Sequence, residues 1–86
     1  MYFVYLLVSK NKKRTISYVG YTNNLKNRLI LHNSSKGAKF TRGRKWKLIY
    51  KKKYNNKSLA MKEEYKLKQN YKLRKSIKER YIQKFK

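Results

Sequence analysis

The sequence contains three carboxylates, and one of them lies where a carboxylate is uncommon. The acidic residues are Glu63, Glu64 and Glu79. In a helix that turns about 100° per residue, Glu64 falls on the apolar side, between Ala60 and Leu67. A divalent metal at a phosphodiester takes one or two carboxylates and completes its shell with water and phosphate. Glu64 is therefore a candidate metal ligand, and the alternative is an ion pair with an inward Lys or Arg.

A second pair of chemically capable side chains shares a helix face with two leucines. Leu25, Arg28, Leu29 and His32 follow the spacing i, i+3, i+4, i+7. An inward Arg can place its planar fork on a phosphate oxygen and stabilise charge that grows there. A His one turn later can act as a base or donate a hydrogen bond to phosphate. The alternatives are an Arg stem that covers the core and a His that packs at the helix end.

Nine tyrosines in 86 residues form a third group. Most must serve packing, but a Tyr becomes a base when neighbouring positive charge or metal lowers its pKa of about 10. Two predicted strands, residues 2–8 and 16–21, should pair as an antiparallel hairpin. If their turn centres on Asn11 and Lys12, Tyr5 and Tyr18 lie opposite each other on one face.

The net charge indicates which class of partner to expect. Lys and Arg number 26 against three acidic residues, so the net charge is +23. An anionic polymer is the natural partner for such a surface, and nucleic acid is the first interpretation. The alternative is a basic protein that coats nucleic acid without chemistry. An acidic membrane is disfavoured, because the charge is spread along the chain.

Composition excludes several other classes of protein. The chain has no Cys and no Asp, which excludes a disulfide framework, a thiolate zinc site and a Ser-His-Asp triad. No Gly-rich nucleotide-binding motif is present. After Met1, the longest apolar run has seven residues, Tyr2 to Val8, whereas a membrane-spanning helix needs about 20. We find no secretory signal and expect no membrane association and a cytoplasmic location.

The elements follow the order strand, strand, helix, strand, helices, in one α+β domain over residues 1–86. The seven-residue apolar run predicts a central strand covered on both faces. Thr22 is the expected N-cap of the first helix, and Asn56 or Ser58 that of the next. The remaining predicted elements are a helix over 23–32, a loop over 33–45, an edge strand over 46–53 and a helix ending near 68. A basic C-terminal helix is predicted over about 71–86, because its apolar residues recur at every fourth position: Leu73, Ile77, Tyr81 and Phe85.

Four motifs, in order between residues 2 and 75, together resemble the GIY-YIG nuclease superfamily and its small single-domain bacterial members. Phe3-Val4-Tyr5 and Tyr18-Val19-Gly20 are similar to the paired signature, with Phe3 where the motif has Gly. In the loop, Ser35 stands where Gly is common, and the usual Pro before the third strand is missing at Lys45-Trp46. The other matching segments are residues 22–28 with His32-Asn33, the loop 36–44, and the set Ala60, Glu64, Leu67 and Lys68.

The resemblance implies a fold and a site. The fold would be a three-stranded antiparallel sheet flanked by helices. The site would hold Mg²⁺ or Mn²⁺ on Glu64, with Arg28 clamping the scissile phosphate. Tyr5 and Tyr18 would belong to the catalytic site, one of them deprotonating or orienting the attacking water. His32 would assist as a base or phosphate contact, with Asn33 a weaker candidate.

From these observations we predict a metal-dependent endonuclease that hydrolyses DNA. The substrate is left open between single-stranded, branched and duplex DNA, and RNA is not excluded. The alternative is a non-catalytic basic nucleic-acid-binding module on the same fold. A protein partner or a homodimer is also left open. Tyr21, Phe40 and Trp46 would suit stacking on unpaired bases, or else packing. The residues expected to bind nucleic acid are Lys36, Lys39, Phe40, Thr41, Arg42 and Arg44.

Overall fold

The computed structural model describes residues 1–10 and 14–84, and side chains as far as residue 83. A three-stranded antiparallel sheet has the order β2-β1-β3, which confirms the predicted fold class. The central strand is β1 (Tyr2–Lys10), flanked by β2 (Thr15–Thr22) and β3 (Lys47–Tyr54). The apolar run lies in β1, as predicted, and its consecutive residues Val4 to Val8 are all buried. A central strand can bury consecutive residues because both of its faces are covered.

The pairing of β1 with β2 differs from the predicted register by two residues. Tyr5 pairs with Gly20, and Tyr18 pairs with Leu7 rather than with Tyr5. The last pair joins Lys10 to Thr15, so the connection is longer than a two-residue turn. The expected turn at Asn11 and Lys12 lies outside the described residues. Because a shift of two residues preserves the face, both tyrosines still lie on the same side of the sheet.

Each face of the sheet carries its own helices. On one face Tyr5 and Leu7 pack with Trp46 and with residues of α1 (Leu25–Asn33). On the other, Val4 and Leu6 pack against α2 (Lys57–Gln69) and α3 (Tyr71–Lys84). The buried helix residues on this second face are Ala60, Leu67 and Ile77. The sheet therefore separates two thin apolar layers.

The helix starts show which capping predictions were right. Asn56 caps α2, since its side-chain oxygen accepts the Leu59 N–H at 2.8 Å. Thr22 is not the cap of α1: Asn24 caps it and accepts the Asn27 N–H at 3.1 Å. Thr22 instead accepts the Asn24 N–H at 3.1 Å, which fixes the bend before the helix.

The C-terminal helix matches its predicted start. It begins at Tyr71, and Ile77 of the predicted stripe is buried. Leu73 remains 42% exposed, and Phe85 lies outside the described residues. No helix in the described part of the chain is both long and apolar enough to cross a bilayer.

The loop between α1 and β3 is built on two residues with left-handed backbone. Ser35 has φ 62° and Gly43 has φ 74°. The Gly43 N–H donates to the Ser35 hydroxyl at 3.0 Å, which ties the two ends of the loop together. A positive φ is easiest for glycine, so Ser35 holds a backbone conformation that a residue with a side chain rarely adopts. Within the loop, Lys39–Thr41 form a single 3₁₀ turn.

Candidate active site

Four of the five predicted catalytic side chains line one cleft of about 430 Å³ beside the edge strand β2. Tyr5 and Tyr18 reach it from the sheet, Arg28 from α1 and Glu64 from α2. The two helices cover opposite faces of the sheet, and at this edge both contribute to one cavity. The sheet edge therefore brings together residues as far apart in sequence as Tyr5 and Glu64.

The fifth predicted residue, His32, lies behind the cleft and is fully buried. Its Nε2 is 2.9 Å from the Tyr5 hydroxyl, and its Nδ1 is 2.9 Å from the Thr41 hydroxyl. The Tyr18 ring packs beside the imidazole, with ring centroids 5.1 Å apart. His32 thus reaches the cleft through Tyr5. A direct contact with phosphate, one of the two roles expected for it, does not fit this position.

Two glycines make room for this hydrogen-bonded pair. Gly20 lies opposite Tyr5 in the sheet, and a Cβ there would come within 2.5 Å of the Tyr5 ring carbon Cζ. A Cβ on Gly37 would come within 2.5 Å of His32 Nδ1. Neither neighbour can move freely, since Tyr5 and His32 are buried. Both positions therefore need glycine because of close approach.

Burial and one cation set the proton affinities of the pair. Burial raises the pKa of the Tyr5 phenol, and the nearby Arg28 guanidinium opposes that rise. Burial also lowers the pKa of His32, and the charge of Arg28 lowers it further. At neutral pH the pair is therefore a neutral phenol beside a neutral imidazole, which leaves the imidazole free to take a proton.

Glu64 has the position expected of a metal ligand and also an ion-pair partner. Its side chain is only 13% exposed, and its Oε1 lies 3.0 Å from Lys68 Nζ. Across residues 1–10 and 14–84 no group of three or more His, Cys, Asp or Glu side chains lies together. A single carboxylate facing an open cleft is still a donor set that Mg²⁺ uses, with water and substrate phosphate completing the shell. The residues present therefore fit such a cation.

A further cation in the cleft was missed by the sequence reasoning. Lys57, the first residue of α2, lines the cleft with Glu64. The two are seven residues apart, which places them on the same helix face, so the helical spacing contained the signal. Tyr2 and Asn23 also line the cleft, although neither was predicted as a site residue.

The residues expected to bind nucleic acid divide into a surface set and a buried one. Phe40 is 58% exposed, and its ring stacks on Tyr18 at a centroid distance of 6.0 Å. Thr41 is fully buried and lies inside the protein rather than on the surface, because its hydroxyl contacts His32. Trp46 is also buried, so packing explains it. The four predicted cations, Lys36, Lys39, Arg42 and Arg44, are exposed or half-buried.

Asn33 holds the loop to the sheet. Its side chain accepts the Trp46 N–H at 2.6 Å and donates to the Trp46 carbonyl at 3.1 Å. The Trp46 indole N–H in turn donates to the Thr41 carbonyl at 2.9 Å. These bonds fix the end of α1, the 3₁₀ turn and the start of β3 relative to one another. The geometry thus gives Asn33 a structural function.

An α+β sheet with a Tyr, Arg and Glu cleft at its edge is the arrangement that a GIY-YIG nuclease domain would have. The sequence profile of the GIY-YIG catalytic domain matches residues 1–81. The chain therefore belongs to the GIY-YIG family, as its motifs indicated.

Bacterial relatives of similar size match most of the chain. A UPF0213 protein of Oceanobacillus iheyensis is 48% identical over 67 residues, which cover 77% of this chain and 74% of the relative. UPF0213 proteins of Staphylococcus haemolyticus and Clostridium perfringens are 39% and 44% identical, covering 73% and 76% of this chain and 77% and 68% of their own lengths. No solved structure matches the chain.

The lowered pKa of His32 predicts how stability depends on pH. As pH falls below about 6.5, the unfolded chain takes up a proton on this residue before the folded protein does. The free energy of unfolding should therefore have its full value above about pH 6.5 and decrease as pH falls toward about 5. Denaturant unfolding at a series of pH values measures this change.

His32→Gln is the control, because the chain has no other histidine. The variant should lose this part of the pH dependence, whatever its stability at neutral pH. The same slope between pH 7 and 5 in both proteins would contradict the assignment.

Proposed function

We propose that this protein is a metal-dependent endonuclease that hydrolyses phosphodiester bonds of DNA, with residues 1–86 as a single nuclease domain in the cytoplasm. The observation that carries the proposal is the cleft in which Tyr5, Arg28 and Glu64 meet, with His32 hydrogen-bonded behind Tyr5. Family membership supports a nuclease. Phosphodiester hydrolysis needs a ligand for the cation, a proton acceptor and a positive group on the phosphate, and the side chains at the cleft would provide them.

Glu64 would hold the divalent cation, Mg²⁺ or Mn²⁺. When bound, such an ion would polarise the phosphate and offset the charge that develops on it. Glu64 is suited to this function because it is mostly buried yet faces the cleft. Lys68, which is half exposed and paired with Glu64, would release the carboxylate when a divalent cation binds.

Tyr5 and His32 would together remove a proton from the attacking water. The Tyr5 hydroxyl takes a proton from water as its own proton passes to His32 Nε2, 2.9 Å away. The hydroxide then forms a bond to phosphorus, and the bond from phosphorus to the leaving oxygen breaks, with its electron pair staying on that oxygen, which takes up a proton from solvent. Tyr18 lines the cleft and its ring lies beside those of Tyr5 and His32. In this position it would orient the water.

Arg28 would stabilise the charge on the phosphate. It lines the cleft and lies close enough to Tyr5 and His32 to affect the pKa of both. Its guanidinium can donate two hydrogen bonds to neighbouring phosphate oxygens, and these strengthen as negative charge grows there. Lys57 supplies another cation in the same cleft, suited to a flanking phosphate.

The loop over residues 36–44 would carry the adjoining nucleic acid. Lys36, Lys39, Arg42 and Arg44 provide phosphate contacts, and the +23 charge extends that attraction over the protein. The exposed ring of Phe40, stacked on Tyr18, offers a platform for an unpaired base next to the cleft. This platform favours a substrate with single-stranded character, including branched DNA, and RNA would bind in the same way.

A second candidate function is a nucleic-acid-binding module without catalysis. The observation that favours it is the ion pair between Glu64 and Lys68, which places an ammonium where the metal would bind. Such a protein would bind DNA tightly and cleave none of it, with or without a divalent cation.

Glu64→Gln tests the metal ligand. The change removes the charge that would hold the cation, so cleavage in Mg²⁺ should fall below detection while DNA affinity stays equal or rises slightly. Affinity should not fall, because a negative charge has left a cationic cleft. Gel-based cleavage and fluorescence anisotropy on one labelled oligonucleotide measure both quantities.

Glu63→Gln is the matched control. Glu63 is the neighbouring carboxylate on α2, more exposed and paired with Lys66 at 3.7 Å. Its loss should leave the rate near that of the parent. Full activity of Glu64→Gln, or equal losses in both variants, would contradict the assignment.

Arg28→Lys tests the phosphate clamp. The variant keeps the charge but loses the planar fork, so kcat should fall by about 10²-fold or more, the scale of one lost transition-state donor. Kd for uncleaved DNA should barely change, because one phosphate contact is small among so many cations. If Arg28 only covers the core, the melting temperature would drop and the rate per folded molecule would stay at the parental value.

A further inference from the structure

We infer that Thr41 is a positioning residue whose hydroxyl fixes His32 in the tautomer able to accept the proton of Tyr5. The consequence for catalysis rests on the proposed function, whereas the tautomer itself is a property of the folded protein. Nothing in the sequence motifs or in the composition assigns this function to Thr41.

The direction of the hydrogen bonds follows from counting hydrogens. A threonine hydroxyl has one hydrogen to donate. The Thr41 hydroxyl donates it to the Ala38 carbonyl oxygen at 2.8 Å. Toward His32 Nδ1, 2.9 Å away, the same oxygen can therefore only accept. Nδ1 must carry the ring hydrogen.

The other ring nitrogen is then free to accept. The pKa of His32 is lowered, so the imidazole is neutral and carries one ring hydrogen. With that hydrogen on Nδ1, Nε2 presents a lone pair to the Tyr5 hydroxyl at 2.9 Å. The phenol therefore donates to the imidazole. The opposite tautomer would turn the proton acceptor away from Tyr5.

Thr41 is held firmly enough to enforce this choice. It is fully buried, and its own N–H donates to the Ala38 carbonyl at 3.0 Å within the 3₁₀ turn. Its carbonyl accepts the Trp46 indole N–H at 2.9 Å. The opposite tautomer would set two lone pairs against each other at Nδ1 unless the hydroxyl left Ala38. The close approach of Gly37 to the imidazole limits the space in which the ring can turn.

This arrangement joins the binding loop to the proton acceptor. Thr41 lies between Phe40 and Arg42, two exposed residues of the loop that we propose binds nucleic acid. The loop thus has two functions: its surface side chains face the substrate, and its one buried hydroxyl orients His32. A threonine is suited to the second because its methyl group packs while its hydroxyl bonds.

Three variants separate this function from ordinary packing. Thr41→Val keeps the shape and removes the hydroxyl, whereas Thr41→Ser keeps the hydroxyl. Thr15→Val makes the same chemical change in a half-buried threonine at the start of β2. The first readout is ¹⁵N NMR of the imidazole, which is unambiguous because His32 is the only histidine.

The parent, Thr41→Ser and Thr15→Val should show the hydrogen on Nδ1, and Thr41→Val should move it wholly or partly to Nε2. A parent with the hydrogen on Nε2, or an unchanged tautomer in Thr41→Val, would overturn the inference. If Thr41→Val fails to fold, the parent and Thr41→Ser spectra still decide the question.

The second readout is cleavage. Thr41→Val should lose about 10- to 100-fold in kcat with KM within about two-fold of the parent, while Thr41→Ser keeps most of the rate. A Thr41→Val protein with the altered tautomer and parental kcat would overturn the positioning function. Failure of the parent to cleave any substrate would overturn the proposed endonuclease, and the NMR result would still stand on its own.

Discussion

A hydrogen bond between two buried side chains, the Tyr5 phenol and the His32 imidazole, constrains much of the site. Both groups are fully or almost fully buried, so each polar atom must find a partner inside the protein. That requirement explains Thr41 on the far side of the ring. The close approach of the two rings explains why Gly20 and Gly37 carry no side chains. Among the described residues no buried side-chain polar atom is left without a partner. The packing of the core therefore also fixes the positions of these site residues.

The site also depends on where the sheet ends. β2 is an edge strand, and beside it α1 and α2 can each place one charged group in the same cleft although they cover opposite faces of the sheet. Arg28 and Glu64 then lie around the Tyr5 hydroxyl, a cation and a carboxylate with opposite effects on its pKa. A protein with a net charge of +23 has many ways to attract a polyanion. A mostly buried carboxylate such as Glu64 is far rarer in that field, and the proposed metal site rests on it.

Periodicity predicted most of the fold, whereas the resemblance to the GIY-YIG family singled out Tyr5 and Tyr18 among the nine tyrosines. The spacing of Arg28 and His32 placed both inward, and the two-residue period kept Tyr5 and Tyr18 on one face although the register was wrong. Register depends on where the turn between the two strands is centred, and the alternation of residues along the strands does not determine that position. The burial of Thr41 was missed as well, because a polar residue in a basic loop is expected to be exposed, and the sequence does not show that His32 lies beside it.

Cleavage of a labelled oligonucleotide, in single-stranded, branched and duplex forms, tests the central claim most directly. The parent protein is incubated with each form in Mg²⁺ or Mn²⁺ and in parallel with a chelator, and binding is measured on the same substrates. Our account predicts hydrolysis of at least one form that needs the metal, with the fastest rate where unpaired bases can reach Phe40. Tight binding of all three forms with no cleavage in either metal would contradict it and would identify a binding module.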